Sequence, residues 1–158
     1  MRADDDVALF ESGAEQIDEW FRRFAKLAAG SGTAKTYVAC KKGGEIAGFY
    51  SIATGQINKV DATSRVGKGV GRHAIPVIVL ARLAVDLKFQ GMGVGHGLLQ
   101  DCVSRVVKIR EEVGVRALVT HAKDDAAAGF YAKFGFEQSP VNERQMMVLM
   151  KDLRQFFN

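Results

Sequence analysis

The sequence predicts a mixed α/β fold built around one central sheet, and three observations carry that prediction. The segment Val77 to Asp86 is apolar on both faces, as a strand in the middle of a sheet must be. Shortly after it, Gln90-Gly91-Met92-Gly93-Val94-Gly95 opens a helix. The other segments follow the order β-α-β-β-loop-β-α-β-α-β, the pattern of a mixed sheet with helices on both sides. At 158 residues the chain is read as one domain, 1–158, able to bury roughly two-thirds of its unfolded surface.

Each element has a local reason. Val7 to Phe10 reads as a short first strand. Ser12-Gly13-Ala14-Glu15 has the form of a capping box, in which Ser12 covers one orphan N–H and Glu15 reaches back to the cap. Ile17, Trp20, Phe21, Phe24, Leu27 and Ala28 follow at helical spacing, until Gly30 and Gly32 stop the helix. Lys35 to Lys41 and Glu45 to Ile57 read as a hairpin turning at Gly43-Gly44. The helix from Gly93 carries a stripe of Val94, Leu98, Cys102, Val106 and Ile109, and Gly114 ends it. Val115 to His121 is a further strand. Asp124 or Asp125 caps a short helix closed by Phe134-Gly135, and Met146 to Met150 is the last strand before a polar tail.

Composition narrows the class. Hydrophobic residues make up 47% and charged residues 25%, as in ordinary soluble proteins. Cys40 and Cys102 are too few for a disulfide framework and sit in apolar patterns, which suggests buried, reduced thiols. The acidic start MRADDD has no hydrophobic signal core, and the run Ala74 to Ala81 is too short to cross a bilayer. A soluble cytoplasmic protein without membrane partners is expected. The net charge is +4, and between Ile57 and Ile75 Lys59, Arg65, Lys68 and Arg72 face one acid, Asp61. With Gly67, Gly69 and Gly71 among them, these residues read either as a long mobile basic loop suited to a polyanion or as a solvated loop.

The glycine cluster points to a phosphate-bearing cofactor. Glycine lets backbone N–H groups approach phosphate, and a helix N-terminus adds its positive end. A Rossmann fingerprint fails, because from Gly91 its last glycine falls on His96 and from Gly93 on Leu98. No window supplies a Walker A loop.

The same residues carry a family resemblance. Gln90 to Gly95 fits Q/R-x-x-G-x-G, and with Val77 to Asp86 and Ala128-Gly129-Phe130-Tyr131-Ala132-Lys133-Phe134-Gly135-Phe136 it resembles the GCN5-related N-acetyltransferases (GNATs). Glu11-Ser12-Gly13, Ile17-Asp18-Glu19-Trp20-Phe21, Thr36 to Cys40 and Ala47 to Gly55 are similar to the GNAT toxins of bacterial toxin–antitoxin pairs. The resemblance implies an α/β (α+β) GNAT fold: a mixed, mostly antiparallel central sheet splayed at the acetyl-CoA site, with helices on both faces. It also implies acetyl-CoA as cosubstrate without a metal, aminoacyl-tRNA as acceptor, a ribbon-helix-helix antitoxin and a homodimer.

Site residues follow from the resemblance. Pantetheine would lie along the strand at Leu83, Ala84 and Val85, and a backbone N–H near Leu83 would meet the oxyanion. Pyrophosphate would accept from N–H groups of Gln90, Gly91, Met92, Gly93, Val94 and Gly95, with Phe130 also at the cofactor. Tyr131 matches the general acid; a phenol near pKa 10 keeps the proton that a thiolate, near 8.5, must receive. Arg65, Lys68, Arg72 and Arg82 are the expected tRNA contacts, and Gly129 stands where many GNATs have asparagine. The alternatives are acetylation of a small amine or a protein amino group, or a non-catalytic CoA-binding regulator.

Overall fold

The computed structural model describes residues 1–156. Among the described residues six strands and four α-helices follow in the order α1 (Glu15–Ser31), β1 (Lys35–Cys40), β2 (Ile46–Ile57), α2 (Ser64–Gly67), β3 (Ile75–Val85), α3 (Val94–Glu112), β4 (Ala117–His121), α4 (Asp125–Ala132), β5 (Glu137–Gln138) and β6 (Gln145–Leu149). The strand order is β1-β2-β3-β4-β6-β5. Pairs β1/β2, β4/β6 and β5/β6 are antiparallel and β3/β4 is parallel, so the sheet is mixed as expected. No helix among the described residues is long and apolar enough to cross a membrane.

The chain divides into two compact units, one formed by Met1–Ala53 with Ala81–Cys102, the other by Thr54–Leu80 with residues from Val103 onward. In the first unit, Phe21 of α1 stacks on Phe49 of β2 at 4.0 Å, and Phe10 meets both rings edge-on at 5.0 and 5.4 Å. Gly48, one residue away, faces Leu98 and Val94 of α3. Successive strand residues point to opposite faces, so α1 and the start of α3 cover opposite sides of β2. The Tyr50 hydroxyl, on the Gly48 side, donates to the Asp101 carboxylate at 2.6 Å. The hairpin turns at Gly43 and Gly44, with φ of +106° and +93°.

The structure departs from several local expectations. Val7 to Phe10 is a turn, not a strand: the Phe10 N–H donates to the Val7 carbonyl at 3.3 Å, which seats both side chains in the aromatic cluster. The N-cap of α1 is Ala14, without a side-chain cap. The Ser12 hydroxyl donates to Asp18 at 2.5 Å and accepts the Ala14 N–H, while the Ser12 N–H donates to Asp18 at 2.9 Å. Asp18, buried in the first turn, thus takes the part expected of Glu15. The buried face of α1 centres on Phe21 and Ala25, which leaves Phe24 and Leu27 exposed. Cys40 is exposed because the β1/β2 register shifts between Ala39 and Cys40; Cys102 is buried.

In the second unit, Ile57, Val66, Ile75, Val77, Ala117, Val119, Met147 and Leu149 form one apolar cluster. Its presence overturns the mobile-loop expectation for residues 57 to 75. Val66 plugs into the cluster from α2, whose N-cap Thr63 accepts the Val66 N–H at 3.3 Å. The Arg116 guanidinium donates to the carbonyls of Val66 and Lys68 at 2.9 and 2.8 Å. The expected polar tail begins as a 3-10 helix, Met150–Phe156, which buries Met150 and Leu153 at the three-residue spacing of that helix.

Gly48 yields a stability prediction. A Cβ there would lie 2.8 Å from Leu98 Cδ1 and 2.9 Å from the Ala84 carbonyl oxygen. Gly48→Ala is expected to destabilise the protein by about 1–3 kcal/mol, as overpacking does. Chemical denaturation measures it, and an unchanged midpoint would show that α3 can move aside at no cost.

Candidate active site

The segment after β3 is held by a buried carboxylate. Asp86 Oδ2 accepts the Glu11 N–H at 3.1 Å and Oδ1 accepts the Lys88 N–H at 2.9 Å. Its own N–H donates to the Ala47 carbonyl at 2.8 Å, and the Leu87 N–H donates to the Glu11 carbonyl at 2.9 Å. A 3-10 turn, Leu87–Phe89, follows. The Lys88 ammonium pairs with Glu45 on the surface, and that pairing raises its pKa.

Gln90 then closes the loop. Its amide nitrogen donates to the carbonyls of Ser12 and Val85, both at 2.9 Å. The side chain is thus committed to the protein, which leaves a bound anion to the backbone. Gly91 and Gly93 take φ of +79° and +84°, and a Cβ at either would meet nothing within 4 Å. These glycines are needed for their backbone conformation rather than for room. α3 begins at Val94, has Gly95 in its first turn, and carries no acidic residue there. Its positive end therefore faces no carboxylate of its own first turn, as an anion site requires. Met92 stands exposed at the tip.

The strand before this loop is the other half of the expected cofactor site. Pairing of β3 with β4 runs from Val77↔Ala117 to Leu80↔Thr120, and the Thr120 hydroxyl donates to the Leu80 carbonyl at 2.8 Å. β3 continues through Ala81–Val85 beyond its last pair with β4. Leu83, Ala84 and Val85 lie on this continuation, with Ala84 buried. So does Arg82, whose guanidinium carbon lies 3.8 Å above the Trp20 ring. Periodicity places Trp20 on the apolar face of α1 but cannot show this partner from another element.

The second unit holds Tyr131. Asp124 caps α4 by accepting the Ala127 N–H at 2.8 Å, and that bond keeps its carboxyl below the usual range. Tyr131 is 6% exposed, its ring 5.2 Å from Phe130 and 5.3 Å from Phe136. Packing fixes the orientation of that phenol. Phe130 is half-buried and meets Phe134 edge-on at 5.2 Å. A Cβ at Gly129 would meet nothing within 4 Å.

The expected RNA-binding cations separate. Arg65 makes a bidentate pair with Asp152 at 2.6 and 2.7 Å, a contact absent from any local pattern. Lys68 and Arg72 are exposed. Lys68 and Lys59 line an open cavity of about 550 Å³ with Ser64 and Glu137. His121, at the end of β4, is exposed and pairs in register with Gln145.

With this geometry in hand, comparison with known proteins assigns the class. Residues 32–138 match the acetyltransferase (GNAT) domain, and the chain belongs to that family of acetyltransferases. It is similar to the tRNA-acetylating toxin of Mycobacterium tuberculosis, with 41% identity over 150 residues, 95% of this chain and 89% of that protein. Its fold matches AtaT complexed with acetyl-methionyl-tRNAfMet at a TM-score of 0.88, with 22% identity over 99% of this chain and 95% of the other. A mutant AtaT toxin bound to the C-terminus of the antitoxin AtaR and acetyl-CoA matches at 0.82, with 22% identity over 98% and 92% of the two chains.

Two predictions arise from these contacts. Gln90→Ala removes two hydrogen bonds and is expected to cost about 1–2 kcal/mol and to speed amide exchange at Gly91 and Gly93, measured by hydrogen exchange. Unchanged exchange would mean that Asp86 alone holds the loop. The second concerns pH. Asp152 lies below its ordinary pKa, first because Arg65 hydrogen-bonds it, so its stabilising effect is full above pH 4 and fades as pH falls through the lowered value. Wild type is expected to exceed Asp152→Asn in stability at pH 6, with the gap closing below pH 4; a gap that persists in acid would assign it to packing.

Proposed function

We propose that the protein is a toxin that transfers the acetyl group of acetyl-CoA to the α-amino group of aminoacyl-tRNA and so blocks translation. The similarity to the tRNA-acetylating toxin, across 95% of the chain, carries this reading. The loop geometry supports acetyl-CoA, because glycines at positive φ and a helix start without acids suit a pyrophosphate. The fold match to AtaT bound to the antitoxin AtaR supports a toxin with an antitoxin partner, proposed from the family resemblance to be a ribbon-helix-helix protein. Action is proposed in the cytoplasm, as a homodimer.

The chemistry follows from what each residue can offer. Backbone N–H groups from Gln90 through Gly95 hold the pyrophosphate. Leu83, Ala84 and Val85 align the thioester, and the N–H near Leu83 stabilises the oxyanion. Attack by the neutral amine forms the C–N bond and moves the carbonyl pair onto oxygen, and return of that pair breaks the C–S bond. Tyr131 gives its proton to the departing sulfur, and the proton leaving the amine passes to water. An α-amino group next to an ester is less basic than a lysine amine, so a useful neutral fraction exists at pH 7 without a dedicated base. Phe130, whose ring packs beside Tyr131, is the further side chain proposed to meet the cofactor. Lys68, Arg72 and Arg82 supply charge for RNA, whereas the Arg65 charge is already matched by Asp152.

Labelled acetyl-CoA incubated with total charged tRNA tests the reading. Label is expected in the RNA fraction, released by mild base as an N-acetyl amino acid; label on protein alone would sink the proposal. Tyr131→Phe should keep acetyl-CoA binding and lose at least about 100-fold in turnover, the scale of general-acid catalysis. A loss of only a few-fold would remove Tyr131 from that role.

A further inference from the structure

Arg82 is placed unlike the protein's structural arginines. Arg65 meets Asp152, Arg116 meets two carbonyls, and Arg144 meets Asp125. Among the described residues, no carboxylate or carbonyl accepts from the Arg82 guanidinium, which lies over the face of Trp20. That face is firmly backed. Trp20 stacks on Phe49 with 6.4 Å between centroids and 19° between planes, and Phe49 stacks on fully buried Phe21. Burial pushes the Arg82 pKa down, since the charged form loses water, yet a guanidinium stays charged at neutral pH.

A cation over an aromatic face is held in place while its N–H edge stays available for an acceptor. The planar fork of arginine fits a phosphate with two parallel bonds, which a lysine cannot reproduce. Arg82 directly precedes Leu83, where the thioester is proposed to lie, so the anion it meets travels with the incoming amine. A free amine or a lysine side chain brings no such anion, whereas an RNA end brings phosphodiesters.

We propose that Trp20 holds Arg82 as a preformed fork for a phosphodiester near the reacting end of the RNA substrate, with Trp20 as positioning residue. The inference rests on the tRNA reading above and adds a recognition device to it.

The test uses the full chain and fluorescein-labelled elongator tRNA, titrated between 50 and 200 mM salt, with acetyl-CoA affinity and tRNA acetylation measured in parallel. Arg82→Lys and Trp20→Leu should each weaken RNA binding and raise KM for charged tRNA at least about 5-fold, with kcat and acetyl-CoA affinity kept. Trp20→Phe, which retains an aromatic face, should restore most of the loss; a merely structural Trp20 would lower thermal stability without this split. Arg82→Gln should make the salt dependence shallower by about one unit of log–log slope, as expected for one lost phosphate contact. Wild-type RNA affinity in Arg82→Lys, an unchanged slope in Arg82→Gln, or lost acetyl-CoA affinity would overturn the proposal. Wild-type protein that labels no charged tRNA would overturn the substrate reading instead, and the RNA titration would still decide the role of Arg82.

Discussion

Asp86 is buried, and a carboxylate withdrawn from water must have its charge met by donors. Two backbone N–H groups, from Glu11 and Lys88, meet it. One belongs to the turn that precedes α1, the other to the turn that follows β3. The side chain thus ties the start of the chain to the end of the central strand across 75 residues. Gln90 repeats the tie with opposite polarity, donating to the carbonyls of Ser12 and Val85. The loop between these anchors has little freedom left, and Gly91 and Gly93 spend it on a conformation that other residues avoid. A backbone fixed in this way can meet an anion without first being ordered, which strengthens binding by lowering its entropic cost.

The charged residues divide by what surrounds them. Arg116 and Arg65 fasten α2, one through carbonyls and one through Asp152, and so turn a glycine-rich stretch into a packed element. Asp18 fixes the entry to α1 through Ser12. Each of these charges is spent on the fold. Arg82 stands apart because its compensation is a π face rather than an anion, which constrains its direction while leaving its donors for something outside the chain. The apparent basic rim of the sequence is therefore a mixture, and the part of it proposed to face RNA is smaller than the charge count implies.

The glycine loop from Gln90 to Gly95 and the central strand are legible in the sequence because their determinants are local. A run apolar on both faces and glycines at a fixed spacing need no knowledge of the rest of the chain. The hairpin at Gly43-Gly44 and the Asp124 cap were readable for the same reason. What failed depended on distant partners. The capping-box spacing at Ser12 points to Glu15, whereas packing of the helix onto the core turns Asp18 inward instead. The segment from 57 to 75 shows no period, since α2 is four residues long and is held by Val66, Arg116 and Asp152 rather than by propensity. The short strand Glu137–Gln138 exists only as a partner of β6, and the exposure of Cys40 follows from a register shift that composition does not encode.

The same distinction separates the two halves of the proposed chemistry. Holding a cofactor common to a whole family takes one strand, one loop and one helix start, contiguous from Val77 to Gly95. Choosing an acceptor takes side chains from separate elements, such as Trp20 on α1 and Arg82 on β3, which meet only after folding. Aromatic stacking is indifferent to sequence separation: the Phe49 and Phe21 rings that back Trp20 come from β2 and α1. A substitution on the buried side of α1 can therefore shift Arg82, and with it the proposed fork, without touching it. In the proposed chemistry the cofactor thus draws on contiguous backbone, and the acceptor on side chains that only folding brings together.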